Sequence, residues 1–226
     1  MDQRQTLVEY ALLCRQSAPG SLGFRRHNFA ISDCRHLDLT GAALSLGDFA
    51  HALFCLSNLS HADLTGANLY RADLWLTNAH HTRLSGANLS HASLRRANLT
   101  GANLRGADLS GAYMQRADLT DADLSGADLR GATLDNVCLD DAKLAGAIVA
   151  EGIIDSYITG RSSHYRWFAI RLTTGQIILQ YGCDRADLTE WQKRTPDYCL
   201  TYDHQPSFWE LGPGPAIAAT EAWGAK

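Results

Sequence analysis

The chain has 226 residues, a formal net charge of −4, 46% hydrophobic residues and 19% charged ones. That length suits one large domain or two smaller ones, and the charge imposes no strong polyelectrolyte character. Every long apolar stretch is broken by Asp, Asn or Arg, so no membrane span is expected. No basic segment followed by a leucine-rich run opens the chain, so export is not expected either.

Thr6 with Glu9 three residues later has the form of a capping box, and Leu7, Tyr10, Ala11 and Cys14 share one helical face. The pattern predicts a short helix from about Leu7 to Ser17, stopped by Pro19-Gly20. Residues 1–22 are therefore expected to form a helical cap over the open edge of the next segment.

From Phe29 to Ile154 every fifth residue is a core-type side chain, with no insertion. Of these 26 positions 18 are Leu, and 17 of the 26 residues standing two earlier are Ala. A period of five fits neither a helix, whose apolar set would drift around the axis, nor a strand, whose odd steps would change face. It fits a coil in which each quintet is one short straight run plus a turn. Ala and Leu then point into a tube, and three positions per quintet face outward. Such a unit buries its core only by stacking on its neighbours, which defines a solenoid.

The quintets Ala62-Asp63-Leu64-Thr65-Gly66, Ala67-Asn68-Leu69-Tyr70-Arg71 and Ala107-Asp108-Leu109-Ser110-Gly111 carry a family likeness. The segment resembles the pentapeptide-repeat family, whose unit is written A(D/N)LXX, over a little more than half of the chain. The resemblance implies an all-β solenoid, a right-handed quadrilateral β-helix with about 20 residues per coil over residues 23–158. At about 4.8 Å between paired strands, its length would be roughly 30 Å.

Beyond that frame the composition changes. Ten of the chain's 19 aromatic residues, and four of its five Trp, fall between Tyr165 and Trp223. Tyr165–Thr173 reads as a strand, Thr174-Gly175 as a turn and Gln176–Tyr181 as the returning strand. Asp187 with Glu190 predicts a short helix that ends before Pro196, and Pro215 opens a last one over Ala216–Trp223. The triplet Ala186-Asp187-Leu188 imitates the repeat by chance, out of register by one residue. Residues 159–226 are thus expected to form a small α+β module. About 65 residues make a weak independent core, so packing on the last coil and homodimerisation are both open to it.

Stacking residues 20 apart divides the tube into faces. One carries the ladder Gly66, Gly86, Gly106, Gly126 and Gly146 and should be flat. A second presents Leu53, Leu56, Trp75, Leu76, Arg95, Arg96, Gln115 and Arg116. Trp and Leu outside a tube already filled by Ala and Leu, bordered by arginines, have the composition of a protein interface. The alternative is that one of the termini folds back over Trp75 and Leu76. A third shows His61, His80 and His81, with Asp121, Asp140 and Asp141 further along. No carboxylate or further nitrogen shares their level, so solvated turn histidines are expected rather than a metal site. Ala79 at an inward position, with Thr77 and Thr82 in place of Ala, is a soft spot that could mark a local bulge. Charge is uneven: six Arg against two Asp between Arg71 and Arg116, then seven Asp against Arg130 between Asp118 and Asp141.

Six Cys (14, 34, 55, 138, 183, 199) show no paired spacing. Free thiols and a cytoplasmic protein are expected, with Cys34 a small core residue. There is no phosphate loop, G-x-S-x-G elbow or H-E-x-x-H, and no cofactor is expected. An unrecognised activity in the C-terminal module would have to use Cys183, Asp184, His164 or His204, which follow no signature. The first functional expectation is a non-catalytic scaffold binding an unidentified protein through Leu56, Trp75, Leu76, Arg95, Arg96 and Arg116 and through the C-terminal module. The second comes from the resemblance: some family members imitate duplex DNA and bind or protect DNA gyrase and topoisomerase IV. A type II topoisomerase partner would then face the acidic patch Asp118, Asp121, Asp140 and Asp141. Against it, residues Phe24–Tyr157 hold 15 acidic and 11 basic side chains, and the central coils are net positive. Direct nucleic-acid binding is not expected at this overall charge.

Overall fold

Twenty residues carry the chain once around a four-sided coil. In this computed structural model the described residues are Glu9, 28–150, 152–161, 166–174, 176–181 and 184–187. The chain divides into two compact units, Met1–Ala150 and Glu151–Lys226.

In the first unit, parallel pairing links each residue before a core position to the one 20 further on, from Asn28↔Asp48 to Asp128↔Ile148 without interruption. The Leu39 amide donates to the Asn58 carbonyl at 2.7 Å, and the Gly41 amide to the Ser60 carbonyl at 2.9 Å. Between them the Ala42 amide donates back to the Leu39 carbonyl at 3.0 Å, closing a four-residue turn. The third turn residue has a positive φ at every corner from Ile31 to Gly146. An i to i+3 bond with positive φ at that position is a type II turn, repeated four times per coil.

The preference for Asp or Asn just before each core residue has a local cause. The Oδ1 atom accepts the amide two residues on, as in Asp63 to Thr65 at 3.0 Å and Asp108 to Ser110 at 2.9 Å. Each such Asx turn satisfies an outward amide at a corner. Asparagines also stack between coils: Asn68 Nδ2 donates to Asp48 Oδ1 at 2.9 Å, and Asn88 Nδ2 to Asn68 Oδ1 at 3.1 Å.

The core lies inside the tube, where Leu59, Leu64, Leu69 and Leu74 are fully buried and Phe29 stacks on Phe49 at 5.5 Å. The expected bulge at Ala79 does not occur. Asn78↔Asn98 pairing is unbroken, and the Thr77 and Thr82 hydroxyls donate to the Phe54 and Leu59 carbonyls at 2.7 Å each. Those bonds allow two hydroxyls to occupy inward positions without leaving a buried polar group unpaired.

The quintet pattern ends one step earlier than expected. A short strand β1 (Ile148–Val149) closes it, and Ile154 lies on β2 (Gly152–Arg161), paired antiparallel with Leu172 across a register shift. The unit boundary accordingly falls after Ala150 rather than after residue 158. In the second unit β2, β3 (Arg166–Leu172), β4 (Ile177–Tyr181) and β5 (Asp184–Asp187) form an antiparallel meander in chain order. The expected hairpin is its centre, with Ile170 opposite Ile178. Ala186 and Asp187 pair with β4 and have no part in the coil. Glu9 is helical. The rest of the helix expected from about Leu7 to Ser17, and the helices expected after Asp187 and over Ala216–Trp223, lie outside the described residues.

Candidate protein-binding surface

The residues of the candidate wall lie on four successive coils, stacked 20 residues apart. Its corner column is Leu56, Leu76, Arg96 and Arg116, with φ of 59°, 53°, 56° and 60°. The column is held by corner hydrogen bonds: Leu56 amide to Trp75 carbonyl at 3.1 Å, Leu76 to Arg95 at 3.1 Å and Arg96 to Gln115 at 3.0 Å. Trp75 stands beside Leu76, its amide fixed by Asp73 Oδ1 at 3.0 Å. Leu56, Trp75 and Leu76 are 45%, 39% and 37% exposed, although the tube behind them is filled. Arg95 is spoken for: its guanidinium lies 4.7 Å from the Tyr113 ring centre, and its Nε donates to Gln115 Oε1 at 3.0 Å. Cys55 lies on the same wall, its thiol pushed up to about 11 by burial and then by Asp73.

The acidic patch is less available than its charge count suggests. Asp118 Oδ1 accepts from the Thr120 hydroxyl at 2.6 Å and its amide at 3.0 Å, and Asp140 Oδ2 accepts from Cys138 Sγ at 3.3 Å. Two neighbouring acids pair with arginine, Asp123 with Arg105 at 3.2 Å and Asp128 with Arg130. Asp121 and Asp141 are the pair that project from one corner, a coil apart, both exposed. Sequence order alone conceals these Asx turns and pairs.

His61, His80 and His81 meet, with ring centres 3.9 to 5.6 Å apart. His80 and His81 direct Nδ1 at the Thr100 and Gly101 carbonyls, at 3.1 and 3.2 Å. No group of three metal-ligating side chains among the described residues is arranged to hold an ion. The sequence reading missed a second aromatic cluster, in which Tyr70 meets His51 and His91 edge-on at 5.5 and 6.1 Å and Arg71 at 5.2 Å. Its signal was available, since His51, Arg71 and His91 stand 20 residues apart. The flat ladder holds at Gly86, Gly106 and Gly126, whereas the Leu46 side chain lies over Gly66. Among the described residues no helix is long and apolar enough to cross a membrane.

A family model described as pentapeptide repeats matches residues 38–75, 76–116 and 112–149, in eight copies. Among solved structures the chain is similar to trypsin-treated QnrB1, a plasmid-mediated fluoroquinolone resistance protein (23% identity, TM-score 0.42). That match covers 51% of this chain and 64% of the other, so the chain spans less than two thirds of QnrB1. It is also similar to HetL, a protein involved in heterocyst differentiation regulation in the cyanobacterium Nostoc sp. PCC 7120, at 25% identity over 62% of this chain and 97% of that one (TM-score 0.25). A protein of the Arabidopsis thaliana thylakoid lumen matches at 27% identity over 51% and 74% (TM-score 0.20). No curated protein sequence matches.

Proposed function

Because the chain belongs to the pentapeptide-repeat family, whose members form right-handed quadrilateral β-helices, we propose that it acts by surface recognition. It is a non-catalytic scaffold that binds another protein through the wall of Leu56, Trp75, Leu76, Arg95, Arg96 and Arg116, assisted by its C-terminal module. The observation that carries this is the exposure of Leu56, Trp75 and Leu76 outside a core that is complete without them. Contiguous apolar side chains rimmed by arginine match the central anchors and polar rim of protein interfaces. We place it in the reducing cytoplasm because its six Cys show no paired spacing.

Affinity capture from the native host with the wild-type chain and with Trp75→Ala plus Arg96→Glu tests the reading. Circular dichroism checks that both stay folded. Loss of one or more specific partners is expected for the double variant, and an unchanged set of captured proteins would remove this wall from consideration.

The second reading, a DNA-mimicking modulator of a type II topoisomerase, rests on the stacked carboxylates of Asp121 and Asp141 with Asp118 and Asp140 nearby. It requires a change in gyrase supercoiling by the purified protein that disappears with Asp121→Asn plus Asp141→Asn. Unaltered supercoiling by the wild-type protein sinks it.

A further inference from the structure

The wall that carries the proposed function is small, and its charge runs in one direction. We propose that its occupant is a single amphipathic helix of a partner protein, laid along the coil axis with apolar side chains on Leu56, Trp75 and Leu76 and carboxylates on Arg96 and Arg116. The inference rests on the protein-binding reading and specifies the partner's chemistry.

Size selects the occupant. Four levels about 4.8 Å apart, each about three residue steps of 3.3 Å wide, give a wall of roughly 19 by 10 Å. That is on the order of 200 Å², well below the ~800 Å² per partner of a standard domain interface. A helix is about 10–12 Å across and rises 1.5 Å per residue, so some twelve residues span the wall. Its turns, about 5.4 Å apart, nearly match the spacing of the coil levels, so successive turns meet successive corner residues.

Charge selects the sequence. The two lower levels present Leu53, Leu56, Trp75 and Leu76, and the two upper levels present Arg95, Arg96 and Arg116. Asp73 is the sole carboxylate on the outward positions of these four levels, and its Oδ1 accepts the Trp75 amide. Arg95 is engaged by Tyr113 and Gln115. Among the described residues, neither Arg96 nor Arg116 takes part in an ion pair. Two arginines on successive corners of one column, neither in an ion pair among the described residues, favour a ligand that brings negative charge. The complement is therefore apolar over its first two turns and acidic over the next two.

Two twelve-residue helical peptides test this, one with Leu at positions 1, 4 and 5 and Glu at 8 and 11, the other with Lys replacing Glu. Each is also made in reversed order. Binding to the full chain is read by fluorescence anisotropy at low and high salt. One glutamate peptide should bind at least tenfold tighter than its lysine counterpart and weaken as salt rises. Arg96→Glu plus Arg116→Glu should invert that preference. Equal binding of glutamate and lysine peptides, or binding of neither, overturns the inference. If Trp75→Ala alone abolishes capture while the two charges bind alike, the protein-binding reading stands and only this inference falls.

Discussion

Gly101 and Gly106 occupy equivalent corners with nearly identical backbones, φ of +65° and +62°, yet should respond differently to an added methyl group. A Cβ at Gly106 meets nothing within 4 Å, so Gly106→Ala carries only the left-handed backbone cost. That cost is about 1–2 kcal/mol, offset by ~0.4–1 kcal/mol from the reduced freedom of the unfolded chain, leaving about 0.5–1 kcal/mol. At Gly101 the Cβ would fall 2.3 Å from His81 Nδ1 and 2.4 Å from its Cε1. The ring must swing away, losing its 3.2 Å bond to the Gly101 carbonyl and its packing on His80 at 3.9 Å. One hydrogen bond and one ring contact add roughly 1–2 kcal/mol. Gly101→Ala should therefore cost about 1.5–3 kcal/mol in urea unfolding, and Gly106→Ala about a third of that. Combining His81→Ala with Gly101→Ala should recover the added cost, giving a coupling of ~1 kcal/mol or more. Equal destabilisation by the two alanines, or additive behaviour of the pair with His81, would refute the steric argument.

Leu84→Ala, at a fully buried core position, should lower stability by about 2–5 kcal/mol in the same assay. At Asp63, burial pushes the carboxyl up, but the Thr65 hydroxyl and amide and the Arg83 guanidinium outweigh it and hold the carboxyl below its ordinary value. Asp123 behaves alike with Ser125 and Arg105, while at Asp128 the Arg130 hydrogen bond leads in the same direction. Groups depressed in the folded state stabilise it fully above the ordinary carboxylate value near 3.8, and that contribution is lost as pH falls below it. Asn keeps the turn acceptor without the charge, so Asp63→Asn should flatten the loss of stability below about pH 4. An acid profile identical to wild type would contradict this assignment. The raised Cys55 thiol should be alkylated on the order of a hundredfold more slowly than an unperturbed cysteine at pH 8, as read by peptide mass mapping.

The coil was legible because its signal is translational. An uninterrupted period of five fixes both the inward set and the twenty-residue stacking, so the Leu56–Leu76–Arg96–Arg116 column could be placed before any coordinate was known. Its end was not legible, because Ile154 continues the period by coincidence while the chain has already entered β2. Strand β2 has no alternation of its own: Gly152-Ile153-Ile154 reads equally as a degenerate repeat or a strand start. Side-chain pairing was hidden for another reason. The acids of the C-terminal coils count equally in sequence, but Asx turns and the Arg105 and Arg130 pairs distinguish them only in three dimensions. The Ala79 region misled because hydroxyls at core positions look like defects until the Phe54 and Leu59 carbonyls are found within reach.

The corner geometry separates what the coil needs from what its wall displays. A left-handed residue is least costly as glycine, and one corner column is glycine from Gly66 through Gly146. The wall column instead places Leu56 and Leu76 in that conformation, half exposed. For Leu76→Gly, relief of about 1–2 kcal/mol of backbone strain opposes ~0.5–1 kcal/mol of added chain entropy and ~1 kcal/mol of partial burial. These nearly cancel, so stability should stay within about 1 kcal/mol of wild type. Binding of the acidic helix should meanwhile fall at least tenfold, since an interface anchor is removed. A leucine serving the fold would behave in the opposite way, costing 3 kcal/mol or more and leaving peptide affinity untouched. That outcome would mean that Leu76 belongs to the coil rather than to a partner.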